Sequence, residues 1–394
     1  MSRFDDVCRG TEDSFGVSPE VVASAPGRLE ILGNHTDYNE GVVLSTAVDC
    51  RTYFAVARNR EDMKCRVKEL SQGQSRCFGL DIAQEELPHS DWGNYVKGVV
   101  ACLQQRGVNV PAFQGCILGD VPLSAGMSSS AALEMSLVYG LLCLSGESLE
   151  WQEIARVGQQ AENDYVGAQT GLLDQYSSIN GVANNFVFCD FRSYEVKTVP
   201  VPEGVALVVA NSKVKHSLTD EYNERRKDCE AAVSFLQSHG ENVDSLRDVD
   251  RKLLGKYKEQ MEPLPYHRAL HVTGENERVK EALTLLERED LEGFGKLLNA
   301  SHESSRINFQ NSTPELDILV ALSQEYNGVY GARLSGGGFG GITVHAVPDT
   351  VTSAYSEYLR AEYKKQTGVD PDIITCHSGD GASAERIKAA GALS

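Results

Sequence analysis

Blocks of apolar residues with different spacing divide the chain into predicted strands and helices. From Val21 to Asn59, β-branched runs separated by glycine and asparagine turns predict a meandering sheet. Asn94–Gln105 and Leu149–Val166 carry apolar residues at helical spacing instead. Residues 1–20 are polar and predict a short leading helix or arm. The first half of the chain is therefore expected to combine a sheet with packed helices.

The composition changes after the segment PVPEG at Pro200–Gly204. Beyond it, an apolar strand is followed by charged helical stretches at 220–237 and 267–299 and by strands at 329–334, 342–347 and 373–376. The sequence contains no internal repeat. This layout predicts an α+β fold of two domains, residues 1–200 and 201–394, with a site where they meet.

A small-residue loop joins a predicted strand to a predicted helix in the stretch Asp120–Glu134, DVPLSAGMSSSAALE. Such a turn presents backbone N–H groups at the positive end of a helix dipole, where anions bind. Ser128, Ser129 and Ser130 add hydroxyls that suit phosphate oxygens or a magnesium ion. Serine is also a preferred helix cap, so an ordinary capped helix is the alternative interpretation.

Carboxylate, amide and imidazole groups are concentrated in APGRLEILGNHTDYNEG, residues 25–41. Each of these groups can bind a hydroxyl, which indicates a pocket for a polyol. A polar surface turn is the alternative. A metal site built from His35 and Asp37 lacks an evident third ligand.

Asp174 directly follows the apolar pair Leu172–Leu173, an unusual place for an unpaired carboxylate. Its burial is costly unless a cation lies nearby, and Arg28 is the partner that we expect. A paired aspartate can orient a hydroxyl and accept its proton. A structural salt bridge or a helix cap is the alternative. Glu162, a second candidate carboxylate, lies on the preceding predicted helix.

Five glycines occupy the six positions Gly336–Gly341 and formally satisfy the dinucleotide pattern G-x-G-x-x-G. That fingerprint must open a helix, whereas the next residues, ITVHAV, predict a strand. A dehydrogenase is therefore disfavoured. The glycines indicate either a close approach of another loop or a ligand to the backbone, or a plain hairpin turn.

The composition narrows the class of protein. A formal net charge of −19 argues against a general nucleic-acid-binding protein, which needs a basic face. Ten scattered cysteines without a C-x-x-C pair suit reduced thiols. The sequence shows no signal core and no apolar run of membrane-spanning length. We therefore expect a cytoplasmic protein without nucleic-acid or membrane partners; its oligomeric state stays open and is compatible with a monomer.

The order of these motifs carries a resemblance. A PGR…HTDYN loop, then P-x-x-x-G-M-S-S-S-A-A, then E…G-L-L-D-Q and S-G-G-G-F-G-G resemble the GHMP small-molecule kinases and, within them, the galactokinase family. Trp92–Gly98 (WGNYVKG) and the segment around Tyr222 extend the likeness over nearly the whole chain. It implies the two-domain GHMP kinase fold, ATP and Mg²⁺ as cofactors, and phosphorylation of the anomeric C1 hydroxyl of a hexose, with D-galactose the leading candidate.

The resemblance also implies roles for individual residues. Asp174 would orient or deprotonate the anomeric hydroxyl, and Arg28 would neutralise charge on the transferred phosphoryl group. Mg²⁺ would lie near Glu162 and near Ser129 or Ser130. The sugar would be held by Asn34, His35, Asp37, Gly171 and Tyr222. ATP would be bound by Trp92, Tyr95, Pro122, Ser124, Ala125, Gly126, Met127, Ser128, Ser129, Ser130 and Ala131. The glycines at 336–340 would support the site from the second domain.

The sugar loop departs from the galactokinase pattern. Galactokinases usually read G-R-V-N-L-I-G-E-H-T-D-Y, whereas here Glu30 replaces the asparagine and Asn34 the glutamate. The resemblance implies that this glutamate contacts the C6 hydroxyl, so Asn34 loses a charge-assisted hydrogen bond worth about 1.5–3 kcal/mol. Such a loss can change the preferred hexose. In the serine loop, Ser124 and Ala125 also replace common glycines.

These departures keep alternatives open. An amino sugar, fucose, arabinose or another hexose is the alternative substrate. A non-catalytic sugar and ATP sensor is a second alternative; regulators of this kind resemble the enzyme but lack a Ser-Ala pair that is complete here. The sequence does not decide whether Asp174 is a general base or a positioning group.

Overall fold

The computed structural model describes residues 2–81, 87–88, 91–122, 126–214 and 218–387. Elements of the N-terminal part are α1 (Arg3–Phe15), β1 (Val21–Leu32), β2 (Val42–Arg58), β3 (Lys64–Glu69), β4 (Ser75–Gly79), α2 (Gly93–Gln105), β5 (Phe113–Gly119), α3 (Ser129–Ser145), α4 (Trp151–Ala161), α5 (Leu173–Asn180), β6 (Asn185–Asp190) and β7 (Glu195–Pro200). A π-helical turn, Glu162–Val166, extends α4.

The rest of the chain begins with a strand and returns to strands at its end. Its elements are β8 (Val205–Asn211), α6 (Leu218–Ser238), α7 (Arg251–Lys256), α8 (Pro263–Glu287), α9 (Leu291–Ser304), α10 (Pro314–Glu325), β9 (Gly331–Ser335), β10 (Ile342–Pro348), α11 (Thr352–Thr367), β11 (Asp372–Cys376) and β12 (Ser383–Arg386).

The N-terminal elements build a sheet in the order β12-β1-β2-β5-β3-β4, with β6 pairing with β2 and β7 with β6. Helices α2, α3 and α4 cover one face, because their apolar stripes, such as Val96, Val99 and Leu103 on α2, pack with Phe54 and Phe113. Helix α1 covers the other face through Val7, which packs with residues of β1, β2 and β5. The predicted meander and helices are confirmed.

The C-terminal elements build an antiparallel sheet in the order β11-β8-β10-β9. Its outer face is covered by α10 and α11, through residues such as Leu319 and Tyr355. A shared core joins the two sheets, because Leu29 of β1, Val279 of α8 and Val344 of β10 belong to one buried cluster. This shared core fixes the position of the N-terminal elements relative to the C-terminal ones.

Two strand pairings concern the glycine-rich segment and the last strand of the described chain. Ile342 pairs with Ser335, so β9 and β10 form an antiparallel hairpin around the glycines, and the dinucleotide pattern is not followed by a helix. Strand β12 pairs with β1 in the N-terminal sheet, with Ala384 opposite Ala23. The division of the chain at residue 200 stays a prediction. Within the described ranges, no helix is long and apolar enough to cross a membrane.

Candidate active site

A cavity of about 410 Å³ lies where three segments meet. They are the polar loop (residues 33–41), the serine loop (126–130) and the glycine hairpin (336–341). Among the residues predicted from the sequence, those that line the cavity are Arg28, Asn34, His35, Asp37, Tyr95, Gly126, Ser128, Ser129, Ser130, Glu162, Gly171, Asp174, Tyr222, Gly336 and Gly337. The tertiary structure therefore brings together motifs that are up to about 300 residues apart.

Arg28 and Asp174 form an ion pair on the wall of this cavity. Arg28 Nε donates to Asp174 Oδ1 at 2.8 Å, and Nη2 lies 2.7 Å from the same oxygen. Nη1 donates to the carbonyl oxygen of Gly126 at 2.6 Å, which ties the pair to the serine loop. The predicted partnership is confirmed, and the ion pair compensates the burial of the Arg28 charge.

Ser128 connects the serine loop to the same carboxylate. Its hydroxyl donates to Asp174 Oδ2. The residue has a φ of 53°, in the left-handed region, and its side chain makes no capping hydrogen bond to α3. The capped-helix interpretation is therefore wrong for Ser128. Both carboxylate oxygens of Asp174 are held in place, one by a cation and one by a hydroxyl.

Glu162 and Ser130 supply oxygen atoms beside the Asp174 pair. Glu162 is buried at the start of the π-helical turn and accepts a hydrogen bond from Thr170 Oγ1 at 2.8 Å. Burial, and then the charge of Asp174, raise the pKa of Glu162 to about 7, although hydrogen bonds from Thr170 and Ser130 oppose the shift. A carboxylate and a hydroxyl fit Mg²⁺, which keeps waters and takes further oxygens from phosphates. No cluster of three or more acidic, histidine or cysteine ligands occurs in the described ranges.

Asp37 and Gly171 meet at another edge of the cavity. A Cβ atom at Gly171 would lie 1.7 Å from Asp37 Oδ2, so any larger residue would displace the Asp37 carboxylate. Burial raises the pKa of Asp37 to about 7, and the charges of Asp174 and Glu30 add to this effect. Asp37 is therefore a tightly enclosed carboxyl that faces the cavity.

His35 is held by hydrogen bonds on both ring nitrogens. Nε2 donates to the carbonyl oxygen of Gly337 at 3.1 Å, and Nδ1 accepts from the hydroxyl of Tyr38 at 2.9 Å. Burial lowers the pKa of His35 to about 3, which keeps the ring neutral. The ring centroid of Tyr222 lies 5.0 Å away. His35 therefore joins the polar loop to the glycine hairpin and forms an aromatic wall with Tyr222.

A second cavity of about 520 Å³ adjoins the first, and Ser129 lines both. Trp92 lines the second cavity, and its indole Nε1 is buried without a hydrogen-bond partner in the described part of the chain. An aromatic ring that lines a cavity suits a planar heterocycle. The two cavities thus suit a nucleotide whose phosphates pass Ser129. Tyr95 lines the first cavity, not the second.

Of the other predicted nucleotide-binding residues, the three that the structure describes line neither cavity. Met127 and Ala131 are buried with their side chains in the protein interior, and the Met127 carbonyl oxygen accepts from Arg28 N at 3.0 Å. Pro122 lines neither cavity. Ser124 and Ala125 lie outside the described residues.

The structure adds Thr170 and Asn311 to the predicted site residues and gives a place on the cavity to Glu30, which the sequence analysis named without a role. Glu30 and Thr170 line the first cavity. Asn311 donates from Nδ2 to Asn34 Oδ1 at 2.9 Å and to the Gly337 carbonyl oxygen at 3.1 Å. Glu30 differs from the usual galactokinase residue, and that difference was the available signal. Nothing in the sequence around Asn311 indicates its contact with a loop 277 positions away.

Comparisons with known proteins agree with this geometry. The galactokinase galactose-binding signature matches residues 12–58, the GHMP kinases N terminal domain matches 94–182, and the GHMP kinases C terminal domain matches 282–365. A galactokinase from Roseiflexus sp. (strain RS-1) is 38% identical over 372 residues, which cover 94% of each chain. One from Haemophilus influenzae (strain PittGG) is 40% identical over 376 residues, covering 92% of this chain and 94% of that protein.

Solved structures also match the whole chain. Lactococcus lactis galactokinase complexed with galactose superposes with a TM-score of 0.92 at 29% identity, covering 97% of this chain and 100% of that chain. A mevalonate kinase superposes with a TM-score of 0.64 at 17% identity, which shows the shared fold. The fold predicted from the sequence, with two GHMP kinase domains and the site between them, is confirmed.

Proposed function

Because this chain belongs to the galactokinase family of the GHMP kinases, we propose that it transfers the γ-phosphoryl group of ATP to the C1 hydroxyl of D-galactose. The observation that carries the proposal is Asp174, whose carboxylate is held by Arg28 and Ser128 on a cavity of about 410 Å³. Galactose and MgATP are thus the small molecules that we assign to the two cavities.

Asp174 receives the hydroxyl that is to be phosphorylated. A carboxylate has about four lone-pair positions, so it can accept a sugar hydroxyl while it keeps Arg28 and Ser128. It then orients the hydroxyl and takes its proton as the new O–P bond forms. Phosphoryl transfer depends mainly on positioning and charge neutralisation, so a rigidly held carboxylate suits it.

Arg28 brings positive charge to the atoms where negative charge develops. It is 6% exposed, and in such a water-poor place its charge acts strongly on the transferred group. Mg²⁺, when bound, neutralises phosphate oxygens, and Glu162 with Ser130 would hold it. The N–H groups at the start of α3 face the same region and favour phosphate.

The substrate is tested by ADP release with MgATP across a panel of free aldoses. We expect D-galactose to have the highest kcat/KM, above galactosamine, fucose, arabinose and glucose. A higher value for another aldose would keep the reaction and change the substrate. ATP binding without turnover of any aldose would instead support the sugar and ATP sensor.

Asp174→Asn tests the role of the carboxylate. The amide cannot take the proton, so we expect kcat to fall by roughly 10²–10⁴-fold, while the affinity for MgATP stays close to that of the parent. Asp164→Asn, which changes an exposed carboxylate in the nearby π-helical turn, is the matched control and should retain the parent kcat. Full activity of Asp174→Asn would remove Asp174 from the mechanism.

We infer a reducing compartment, the cytoplasm, for this enzyme. All ten cysteines are free thiols, and six of them are buried. Free buried thiols are typical of proteins that are not exposed to oxidising surroundings. Localisation of a tagged full-length chain by cell fractionation tests this inference.

A further inference from the structure

Glu30 is an acidic residue of the first cavity to which the proposed reaction assigns no role. It lies on β1, two positions after Arg28, and is 2% exposed. Its Oε1 accepts from Arg333 Nη1 at 2.9 Å and from Asn34 Nδ2 at 3.0 Å. No described residue donates to Oε2. One oxygen of a buried carboxylate that lines the cavity is therefore free to accept a hydrogen bond.

Asn34, in contrast, has both of its amide hydrogens and its amide oxygen engaged with protein groups. Its two Nδ2 hydrogens go to Glu30 Oε1 at 3.0 Å and to the Gly336 carbonyl oxygen at 2.9 Å. Its Oδ1 accepts from Asn311 Nδ2 at 2.9 Å and lies 3.5 Å from Ser305 Oγ. Because a carboxylate and a carbonyl oxygen can only accept, the orientation of this amide is determined by its partners.

The backbone of Asn34 is held as firmly as its side chain. The N–H groups of Gly33 and Asn34 donate to Glu275 Oε2 at 2.8 and 3.0 Å. The Asn34 carbonyl oxygen accepts from His271 Nε2 at 3.1 Å. Asn34 thus connects the polar loop to α8, to the glycine hairpin and to Glu30, and its role is to position the Glu30 carboxylate.

Arg333 holds that carboxyl group in place and favours its charged form, although burial raises the pKa of Glu30. It is fully buried on β9, and Glu30 is the acidic group to which it is ion-paired in the described ranges. A second bond from Nη1 reaches the Ile31 carbonyl oxygen at 3.2 Å. Glu30 therefore combines a fixed position, set by two donors to Oε1, with a second oxygen, Oε2, that is open to a hydroxyl donor.

We propose that Glu30 is a specificity-determining residue of this kinase and that its Oε2 accepts a hydrogen bond from one hydroxyl of the sugar. The proposal rests on the proposed function. The exchange of residue types at positions 30 and 34 moves the carboxyl group by four positions and does not remove it from the pocket. Asn34 is then a positioning residue and not a sugar ligand.

The acidic residues of the first cavity indicate which sugars it excludes. Four acidic residues line the cavity (Glu30, Asp37, Glu162 and Asp174), and the arginine among its described lining residues, Arg28, is already paired with Asp174. A sugar that carries its own carboxylate would add a further acidic group with no unpaired arginine or lysine among those residues to meet it. The substrate class is therefore a neutral aldose, and we expect turnover of galacturonate to be at least roughly a hundredfold below that of galactose.

The test combines Glu30→Gln with galactose and its 2-, 3-, 4- and 6-deoxy derivatives. Glutamine keeps the shape but replaces the charged acceptor, so KM for galactose should rise roughly tenfold or more, with KM for MgATP unchanged. The penalty should disappear for the single deoxy sugar that lacks the hydroxyl bound by Glu30. An equal penalty for galactose and for every deoxy sugar would overturn the proposal, because it would assign Glu30 a structural role only.

Two further variants separate this outcome from a folding defect. Asp190→Asn cuts another partly buried ion pair, Asp190 with Arg247, away from both cavities, and should lower Tm without changing discrimination among the sugars. If Glu30→Gln does not fold, Glu30→Asp takes its place, because it keeps the carboxyl group but shortens the side chain by one carbon. We expect the same rise in KM for galactose, and again no rise for the one deoxy sugar that lacks the bound hydroxyl. The parent enzyme tests the proposed function separately: if it turns over another aldose, the deoxy series of that aldose is used.

Discussion

Gly171 has no side chain because the carboxylate of Asp37 occupies the space beside it. The distance from a Cβ at this position to Asp37 Oδ2 would be 1.7 Å. The backbone fixes the position of a Cβ atom, so the clash can be relieved only by movement of Asp37 or of the backbone. Asp37 is itself enclosed on the side of the polar loop. At the scale of residues, the position of the Asp37 carboxylate thus depends on the absence of a side chain at residue 171.

Gly171→Ala should push the Asp37 carboxylate out of its position. We expect KM for galactose to rise at least roughly tenfold, since an orienting group is displaced, while KM for MgATP changes little. Gly255→Ala is the control, because Gly255 lies in a helix with nothing within 4 Å of an added Cβ. Steady-state kinetics with both substrates measure the effect, and an unchanged KM for the sugar would show that Asp37 does not bind it.

The raised pKa of Asp37 makes the stability of the unliganded protein depend on pH. The unfolded chain ionises this group near its ordinary pKa of 3.8, whereas the folded protein keeps the proton up to about pH 7. Between these values the folded state binds more protons, so the contribution of Asp37 to stability is lost as the pH rises. Asp37→Asn cannot titrate. The Tm of this variant minus that of the parent should therefore increase from pH 5 to pH 7 and level off above, and a constant difference would contradict the shift.

The glycine hairpin is the element that closes the site from the C-terminal domain. Gly338 has a φ of 82°, and a Cβ there would lie 2.2 Å from the Asn311 carbonyl oxygen. The neighbouring Gly337 carbonyl oxygen accepts from both His35 and Asn311. The hairpin therefore binds the polar loop through its backbone, and its glycines allow that close approach. The close approach of the two backbones therefore accounts for a glycine-rich segment here without a dinucleotide-binding role.

Gly338→Ala should displace the hairpin and release His35. We expect kcat/KM for the sugar to fall at least roughly tenfold, because the polar loop loses its support on this side. Gly240→Ala is matched in backbone geometry, with a φ of 81°, but has nothing within 4 Å of an added Cβ. It should cost about 1–2 kcal/mol of stability and leave the kinetics unchanged. Equal effects of both substitutions on kcat/KM would refute the close-approach explanation.

At the scale of the whole molecule, the end of the described chain returns to the N-terminal domain. Strand β12 pairs with β1, which also carries Arg28 and Glu30. Just before it, Ala382 N donates to the Ser178 carbonyl oxygen at 2.8 Å on α5, the helix that begins with Leu173 and Asp174. The C-terminal segment thus supports the strand and the helix that hold the catalytic ion pair.

Ending the chain after residue 382 should weaken both stability and activity. The truncation removes the ladder between β12 and β1 and exposes Val21 and Val22, which are buried now. We expect Tm to fall by several degrees. We also expect kcat to change by a larger factor than KM, because the ion pair between Arg28 and Asp174 is less firmly held. A chain that ends after residue 387 keeps β12 and is the length control. If the shorter chain retains the parent Tm and kcat, β12 does not support the site.

Several features of this protein were predictable from the sequence alone because they depend on local order. Strand and helix segments follow from periodicity, as in the apolar strand Phe113–Gly119, and the order of the motifs indicated the kinase family. The pairing of Arg28 with Asp174 was also predictable, since a carboxylate beside apolar residues needs a cation. These inferences need only a short stretch or a charge balance.

Only the tertiary structure decided which group fills each place around the cavity. Position 34 was expected to contact the sugar. Asn34 instead donates both amide hydrogens to Glu30 and Gly336 and accepts from Asn311, and a carboxylate oxygen without a described donor lies on Glu30. Glu30 and its ion-pair partner Arg333 are 303 positions apart. A sequence pattern reports the residue types and their spacing along the chain. It does not report which donors and acceptors are already paired, because those partners come from distant segments that meet only when the two domains pack together.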